Sequence, residues 1–303
     1  MQKATDNGSV PVRVAMDAMG GDHGPVETVK GAVEAARATN AEIILVGDPG
    51  PVEEELAEHD TSGLSVSTVA SEDKIGDDEH PLQAMRTKPR SSVLVATKLV
   101  KSGDADVMVS MGSTGGSMAS AVLTLGLMEG LDRPCIGGPF LGLAPNTVLV
   151  DIGANIDCRP GLLLNFASLG VTWARTYMGI ENPRVALLSV GSESNKGNKQ
   201  VQEAYQIFQD SGMNFVGNVE GMDFFTEKAE VIIADGFVGN ILIKFTEGLG
   251  RAFAAYADKR LSSSLDETTL AKFAADMVQL TTRTRDHGRP LFRLTCPVIV
   301  GLG

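Results

Sequence analysis

The chain has 303 residues, 43% of them hydrophobic and 21% charged, which is enough apolar material for a full core and too little charge for disorder in the bulk. With 38 acidic against 26 basic residues the net charge is −12, so the surface as a whole repels nucleic acid and anionic lipid, and an anionic substrate must meet a local basic patch. Cys135, Cys158 and Cys296 form no CxxC pair, which argues against a zinc ribbon or a dithiol redox site, and the polar start MQKATDNGSV lacks the apolar core of a signal peptide. Both features fit a reducing cytoplasm.

In chain order, one unit recurs: a short β-branched run, a Gly-rich turn, then a helical pattern. Residues 12–16 run into Asp17 and AMGGDHGP, with a helix over 26–38. Strands are expected at 42–46 and 64–69. Residues 107–110 run into MGSTGGS and a helix over 118–128. The whole uncharged stretch 107–128 has the length of a membrane span, but its Gly, Ser and Thr content makes it strand, loop and helix. The uncharged stretch 134–150 is interrupted by Pro134, Pro139 and Pro145, which again argues against a spanning helix. Residues 147–150 then enter DIGANIDC with a helix over 160–177; 185–190 enter GSESNKGN with a helix over 200–209; 231–234 enter DGFVGN with a helix from near Ile241.

The pattern ends in two long helices, 241–261 and 266–283, separated by Ser262, Ser263 and Ser264. They read as a helical hairpin, with Phe245, Leu249, Phe253 and Tyr256 on one stripe and Leu270, Phe273, Met277 and Leu280 on another. Such stripes pack on a sheet, pair with a twin in a dimer, or rest on a membrane, and dimer pairing ranks first. Strands alternating with helices predict the α/β class, a three-layer α/β/α arrangement with a mainly parallel sheet, in one domain spanning 1–303. In such sheets ligands bind beyond the carboxyl ends of the strands, so the five Gly-rich turns, with Asp17, Asp151, Asp235, Asn155, Asn198 and Asn240 in them, are expected to share a cleft suited to phosphate. Taken singly, each turn needs its glycines only to turn tightly.

No GxGxxG follows a strand, no Walker A lysine is in register, and neither a GxSxG elbow nor an HExxH pair occurs. No nucleotide cofactor is expected. Asp17 and Asp235 lack defined ligand spacing, so no metal is expected either.

The series VAMDAMGGDHGP, VSMGSTGGSMA, LVDIGANIDCRP, PRVALLSVGSESNKGN, NFVGNVEG and ADGFVGNILIK, in that order, resembles the phosphate acyltransferases of bacterial phospholipid synthesis, the PlsX family, over nearly the whole chain. The resemblance implies a fold like the isocitrate and isopropylmalate dehydrogenases, without nicotinamide chemistry. It implies transfer of a fatty acyl group from acyl carrier protein to inorganic phosphate, giving acyl phosphate for glycerol-3-phosphate acylation and hence phosphatidic acid. It further implies a homodimer, cytoplasmic but peripherally associated with the membrane, where it would meet the glycerol-3-phosphate acyltransferase. The chain departs from the family pattern at Ser113, usually Asn; at Ser192, which precedes Glu193 where two acids are common; at His287 and Gly288, within the usual GGAPL region; and at Leu302, usually His. The family continues beyond Gly303 into one more helix.

A thioester is already activated, so phosphate can attack it without a protein nucleophile, and the site's work is to hold two reactants and stabilise an oxyanion. Lys196 is the first candidate for cationic contact, with Asn198 donating beside it, both at the family's KGN positions. Gly112, Ser113, Thr114 and Gly115 offer a phosphate nest, or simply a turn and cap; Gly20 and Gly21 allow close backbone approach. Asn240, following Asp235 and Gly236, either donates to the acyl carbonyl or caps its own helix. His23 protonates the leaving thiolate or bonds phosphate, and Asp17 orients His23 or Lys196. Five cations and no acid lie between Arg86 and Lys101, namely Arg86, Lys88, Arg90, Lys98 and Lys101, forming either a solvated helix face or a dock for the acidic carrier protein. The rival activities are a phosphotransacetylase-like enzyme using coenzyme A thioesters and a non-catalytic scaffold at the membrane surface.

Overall fold

The computed structural model describes residues 10–129, 131–262, 264–281, 289–292 and 298–300; Cys296, His287, Gly288 and Leu302 lie outside them. The elements of the first half are β1 (Arg13–Asp17), α1 (Val26–Ala38), β2 (Glu42–Gly47), α2 (Pro49–Ala57), β3 (Val66–Ala70), α3 (Pro81–Thr87), α4 (Ser92–Ser102), β4 (Val107–Ser110) and α5 (Thr114–Thr124). There follow β5 (Cys135–Leu141), β6 (Ala144–Val150), α6 (Pro160–Met178), β7 (Val185–Leu188), α7 (Lys199–Gln209), β8 (Phe215–Val219) and β9 (Val231–Ile233). The chain ends in α8 (Gly236–Leu261), α9 (Glu267–Thr281), β10 (Arg289–Phe292) and β11 (Val298–Val300). Two compact units result, one of residues 1–129 with 294–303 and one of residues 130–293.

The first unit carries the parallel strands in the order β3-β2-β1-β4-β11. Val14 and Met16 pair with Ile43 and Leu45, so these side chains share one face, and α1 and α2 cover it with Val29, Ala32, Ala36 and Val52. Helix α4 packs on β1, β2 and β4 and carries α5 against it. Parallel strands send every strand-to-helix turn to one edge. The register places Asp17 opposite Ser110, so the turns after β1 and β4 are neighbours there.

The second unit orders its strands β10-β5-β6-β9-β7-β8. β6, β9, β7 and β8 are parallel; β5 runs against β6, and β10 against β5. Val148, Val231 and Val185 form one row of the pleat and Val150, Ile233 and Leu187 the next on the same face, where Leu163, Phe166 and Trp173 of α6 and Phe208 of α7 bury them. Full burial of each such side chain contributes about 1.5–3 kcal/mol. The turns after β6, β9 and β7 therefore stand side by side along one edge.

The α/β class and mainly parallel sheets agree with the sequence reading, as does the strand, loop and helix over 107–128; among the described residues no helix is long and apolar enough to cross a membrane. Two helices begin earlier than expected. α5 starts at Thr114, because Ser113 caps it by accepting from the Gly116 N–H at 3.3 Å; α8 starts at Gly236, because Asp235 accepts from the Val238 N–H at 2.8 Å. Their Gly-rich first turns conceal these starts. The hairpin is present, but α8 buries Ile243, Thr246, Gly250 and Ala257, while Phe245 (64% exposed) and Tyr256 (62%) face outward.

Gly239 lies where α8 crosses the end of β6, and a methyl group there would overlap the Asp151 carbonyl oxygen. Gly239→Ala is expected to cost about 3 kcal/mol or more in urea denaturation. Gly248→Ala, in open space on the same helix, should be neutral or stabilising by up to ~1 kcal/mol.

Candidate active site

In the first unit, Asp17 ends β1 buried, and its Oδ2 accepts from the Ser110 hydroxyl at 2.7 Å while its Oδ1 accepts from the Met19 N–H at 3.3 Å. Burial pushes this carboxyl above the usual range, against the pull of hydrogen bonds from Ser92, Ser110, Met19 and Gly20. None of these bonds goes to His23, so in its own unit Asp17 positions the turn. The same Ser110 oxygen accepts from the Gly112 N–H at 3.1 Å, tying the second turn to the first. The two turns approach so closely that a methyl on Gly20 would sit 2.6 Å from the Gly112 nitrogen. Ser113 is the cap of α5, and Thr114 and Gly115 open its first turn, where N–H groups lack intrahelical acceptors. His23 is exposed; its carbonyl accepts the Glu27 N–H at 3.1 Å and so starts α1.

In the second unit, the turn after β6 is organised by Asp151, fully buried. Its Oδ1 accepts from the N–H groups of Ile136 (3.0 Å), Ile152 (2.7 Å) and Ala154 (3.2 Å), and its Oδ2 from the backbone N–H (2.7 Å) and side-chain amide (2.9 Å) of Asn155. Burial nonetheless holds this carboxyl above its ordinary value. Asn155 also donates to the Pro134 carbonyl at 2.7 Å and accepts the Gly236 N–H at 2.7 Å, which fixes the start of α8. Asp235, not Asn240, caps that helix, and Asn240 stands exposed with its side chain beside Gly153. Burial, with Asp151 and Asp235 nearby, pushes the Cys158 thiol up to about 12, which keeps it a thiol at neutral pH.

The turn after β7 is held from below by Asn218 of β8, whose amide donates to the Glu193 carbonyl at 2.8 Å. Gly197, at φ +93°, turns the backbone between Lys196 and Asn198 in a conformation that favours glycine. Asn198 caps α7 through Oδ1, accepting from the Val201 N–H at 2.9 Å, and its amide nitrogen stays available. Lys196 is exposed, with no ion pair among the described residues. A cavity of about 180 Å³ opens between this turn and the start of α8, lined chiefly by apolar side chains together with Ser189, Asn198, Gln200 and Asp235.

The basic segment is less free than its sequence suggests. Lys88 pairs with Glu79 at 2.6 Å and Arg90 with Glu72 at 2.7 Å, and Lys98 donates to the Pro89 carbonyl at 3.0 Å. Arg86 and Lys98 flank a groove with Leu82, Met85, Leu94 and Leu123, and Lys101 lies exposed at the end of α4. Sequence reasoning missed the turn-holding bonds of Ser110 and Asn218, and Ser189 in the cavity lining. The strand register opposite Asp17 is a signal for the first; for the other two there is none. Among the described residues no cluster of three or more His, Cys, Asp or Glu suits a metal ion.

The family model described as Fatty acid synthesis protein matches residues 12–303. Similar curated proteins include the phosphate acyltransferase of Heliobacterium modesticaldum, 46% identical over 84% of this chain and 76% of that protein, and that of Herpetosiphon aurantiacus, 40% identical over 92% and 77%. Among solved structures, a phosphotransacetylase from Streptococcus pyogenes superposes with a TM-score of 0.61 at 18% identity, covering 97% of this chain and 88% of the other. A 4-hydroxythreonine-4-phosphate dehydrogenase from Klebsiella pneumoniae gives 0.55 at 13%, covering 96% and 90%. These two show the shared α/β/α fold.

Because the folded pKa of Asp17 is raised, the unfolded chain loses that proton first, from about pH 4, and the residue's contribution to stability falls as pH rises from there to its folded pKa. The difference in unfolding free energy between wild type and Asp17→Asn is expected to shrink as pH rises from about 4, read by urea titrations at successive pH values.

Proposed function

The chain belongs to the phosphate acyltransferase family and is an acyltransferase of fatty acid and phospholipid synthesis, and from that premise we propose that it moves a fatty acyl group from the thioester of acyl carrier protein to inorganic phosphate. A phosphate oxygen attacks the thioester carbonyl carbon, the C–S bond breaks, and the thiolate leaves and takes up a proton. Phosphate is largely dianionic at neutral pH and the thioester is activated, so cations and N–H donors carry the catalysis. The observation that carries this reading is Lys196, exposed and without an ion pair among the described residues, one glycine away from the Asn198 amide. Lys196 contacts phosphate or the oxyanion, Asn198 donates beside it, and Asn240, relieved of capping, donates to the acyl carbonyl. In the first unit the N–H groups of Thr114 and Gly115 are offered to an anion, and His23 is exposed.

The carrier protein is acidic, and Arg86, Lys98 and Lys101 remain as its dock, beside the apolar groove of Leu82, Met85 and Leu123. The exposed stripe of α8 through Phe245, Phe253 and Tyr256 supports pairing with a second copy. Peripheral contact with the cytoplasmic membrane surface would bring the acyl phosphate to a glycerol-3-phosphate acyltransferase.

Purified protein given palmitoyl carrier protein and phosphate should yield acyl phosphate trapped by hydroxylamine, and Lys196→Ala should lower kcat/KM by about 10²–10³. A parent rate in that variant removes Lys196 from the site, and faster turnover of palmitoyl coenzyme A than of the carrier-protein donor replaces the donor. The double variant Arg86→Glu, Lys98→Glu should lose at least tenfold more rate with carrier protein than with a small thioester; equal losses with both move the dock elsewhere.

A further inference from the structure

We propose that the cavity at the carboxyl edge of the second unit's sheet, between the turns after β7 and β9, binds the first aliphatic segment of the acyl group, with the Ser189 hydroxyl donating to the acyl carbonyl oxygen. This rests on the acyl-transfer reading above and adds where the chain lies. Leu163, Leu187 and Ile233, all buried, form the floor; Leu188, Val201 and Val238 form the walls. Its volume of about 180 Å³ is that of six waters at ~30 Å³ each, and a water is comparable in size to a methylene, so the cavity takes about half a dozen carbons.

Two observations select the ligand. Ser189 is one of the lining residues, and its hydroxyl oxygen is buried with no hydrogen-bond partner among the described residues. A hydroxyl supplies a donor, and an unpaired buried donor is unfavourable until an acceptor arrives. An apolar cavity with a buried unpaired hydroxyl and the Asn198 amide in its lining matches a molecule that is aliphatic along its length and carries an oxygen acceptor at one end. Asp235 also lines the cavity, and its carboxylate disfavours phosphate there. A thioester carbonyl beside Ser189 would lie next to Asn198, in the loop that carries Lys196. The acyl group is thus held by its first carbons and its carbonyl.

The test uses unreactive ketone analogues of acyl N-acetylcysteamine, in which a methylene replaces the thioester sulfur, with butyryl and octanoyl chains, titrated calorimetrically into the full chain. Wild type should bind the octanoyl analogue at least tenfold more tightly than the butyryl one. Val238→Phe, which fills the cavity, should abolish that preference, and Val238→Ala should extend it to decanoyl. Ser189→Ala should weaken both analogues about tenfold while raising the melting temperature of the free protein, because the unpaired hydroxyl is gone; a merely structural serine would not show that pair of effects.

Equal binding of the two chain lengths by wild type overturns the proposal, as does a folded Val238→Phe that keeps the wild-type preference or a Ser189→Ala that binds like the parent. Should Val238→Phe fail to fold, an unchanged preference in Val238→Ala is equally decisive. Hydroxylamine trapping with the matching thioesters reads the reaction separately: chain-length-dependent binding without acyl phosphate would leave the cavity assignment standing and overturn the acyl-transfer reading instead.

Discussion

Five N–H groups converge on the Asp151 carboxylate, and the second unit is arranged around that convergence. A carboxylate taken out of water without compensation would cost several kcal/mol; here each oxygen accepts at least two donors, one of them from Ile136 on the antiparallel strand β5. The residue that contributes two of the donors, Asn155, also takes the Gly236 N–H and gives its amide to Pro134, so the knot joins β5, the end of β6 and the start of α8. Gly239 lets the helix seat directly on the Asp151 carbonyl. The position of Asn240 and the wall that Val238 gives the cavity both follow from this seat.

The same division of labour recurs in the other turns. A buried polar side chain holds the backbone of each turn: Asp17 holds the turns that carry the half-buried Ser113, Thr114 and Gly115, and Asn218 holds the loop that carries the exposed Lys196 and Asn198. Asp17 accepts from the protein through both oxygens, and Asn218 donates its amide to the Glu193 carbonyl. The presented groups keep at least one donor free, which suits a reaction whose demands are charge neutralisation and orientation more than proton transfer. Cys158 stands outside this division, since a thiol pushed up to about 12 is no nucleophile at neutral pH.

How far the sequence reveals this depends on which physical signal each element carries. Strands such as Val107–Ser110 and the helix Val26–Ala38 stand out by periodicity alone. β5 does not, because Gly137, Gly138 and Pro139 give it no β-branched run, and it is stabilised by pairing with β6 across a register irregularity. The starts of α5 and α8 are hidden for a related reason: glycines lower intrinsic helix propensity, and only the caps Ser113 and Asp235 reveal where the helices begin. The buried face of α8 is equally hard to read. Thr246, Gly250 and Ala257 pack because they are small, with Gly250 against Thr281 of α9, so the large side chains that attract the eye are the ones left outside.

Charge shows the limit most clearly, because a run of cations in sequence is not a field in space. Glu72 and Glu79 precede the basic segment by one short stretch of chain, and the fold returns them onto Arg90 and Lys88. Each such surface pair adds little stability, about 0–1 kcal/mol, but each cancels a charge that a negatively charged partner would otherwise meet. What survives is narrower than the sequence implies: Arg86 and Lys98 beside exposed leucines, with Lys101 further along α4. On a chain of net charge −12, a small basic rim next to an apolar groove discriminates better than a broad basic face, since the surrounding acids repel anions that lack an apolar surface to match the groove.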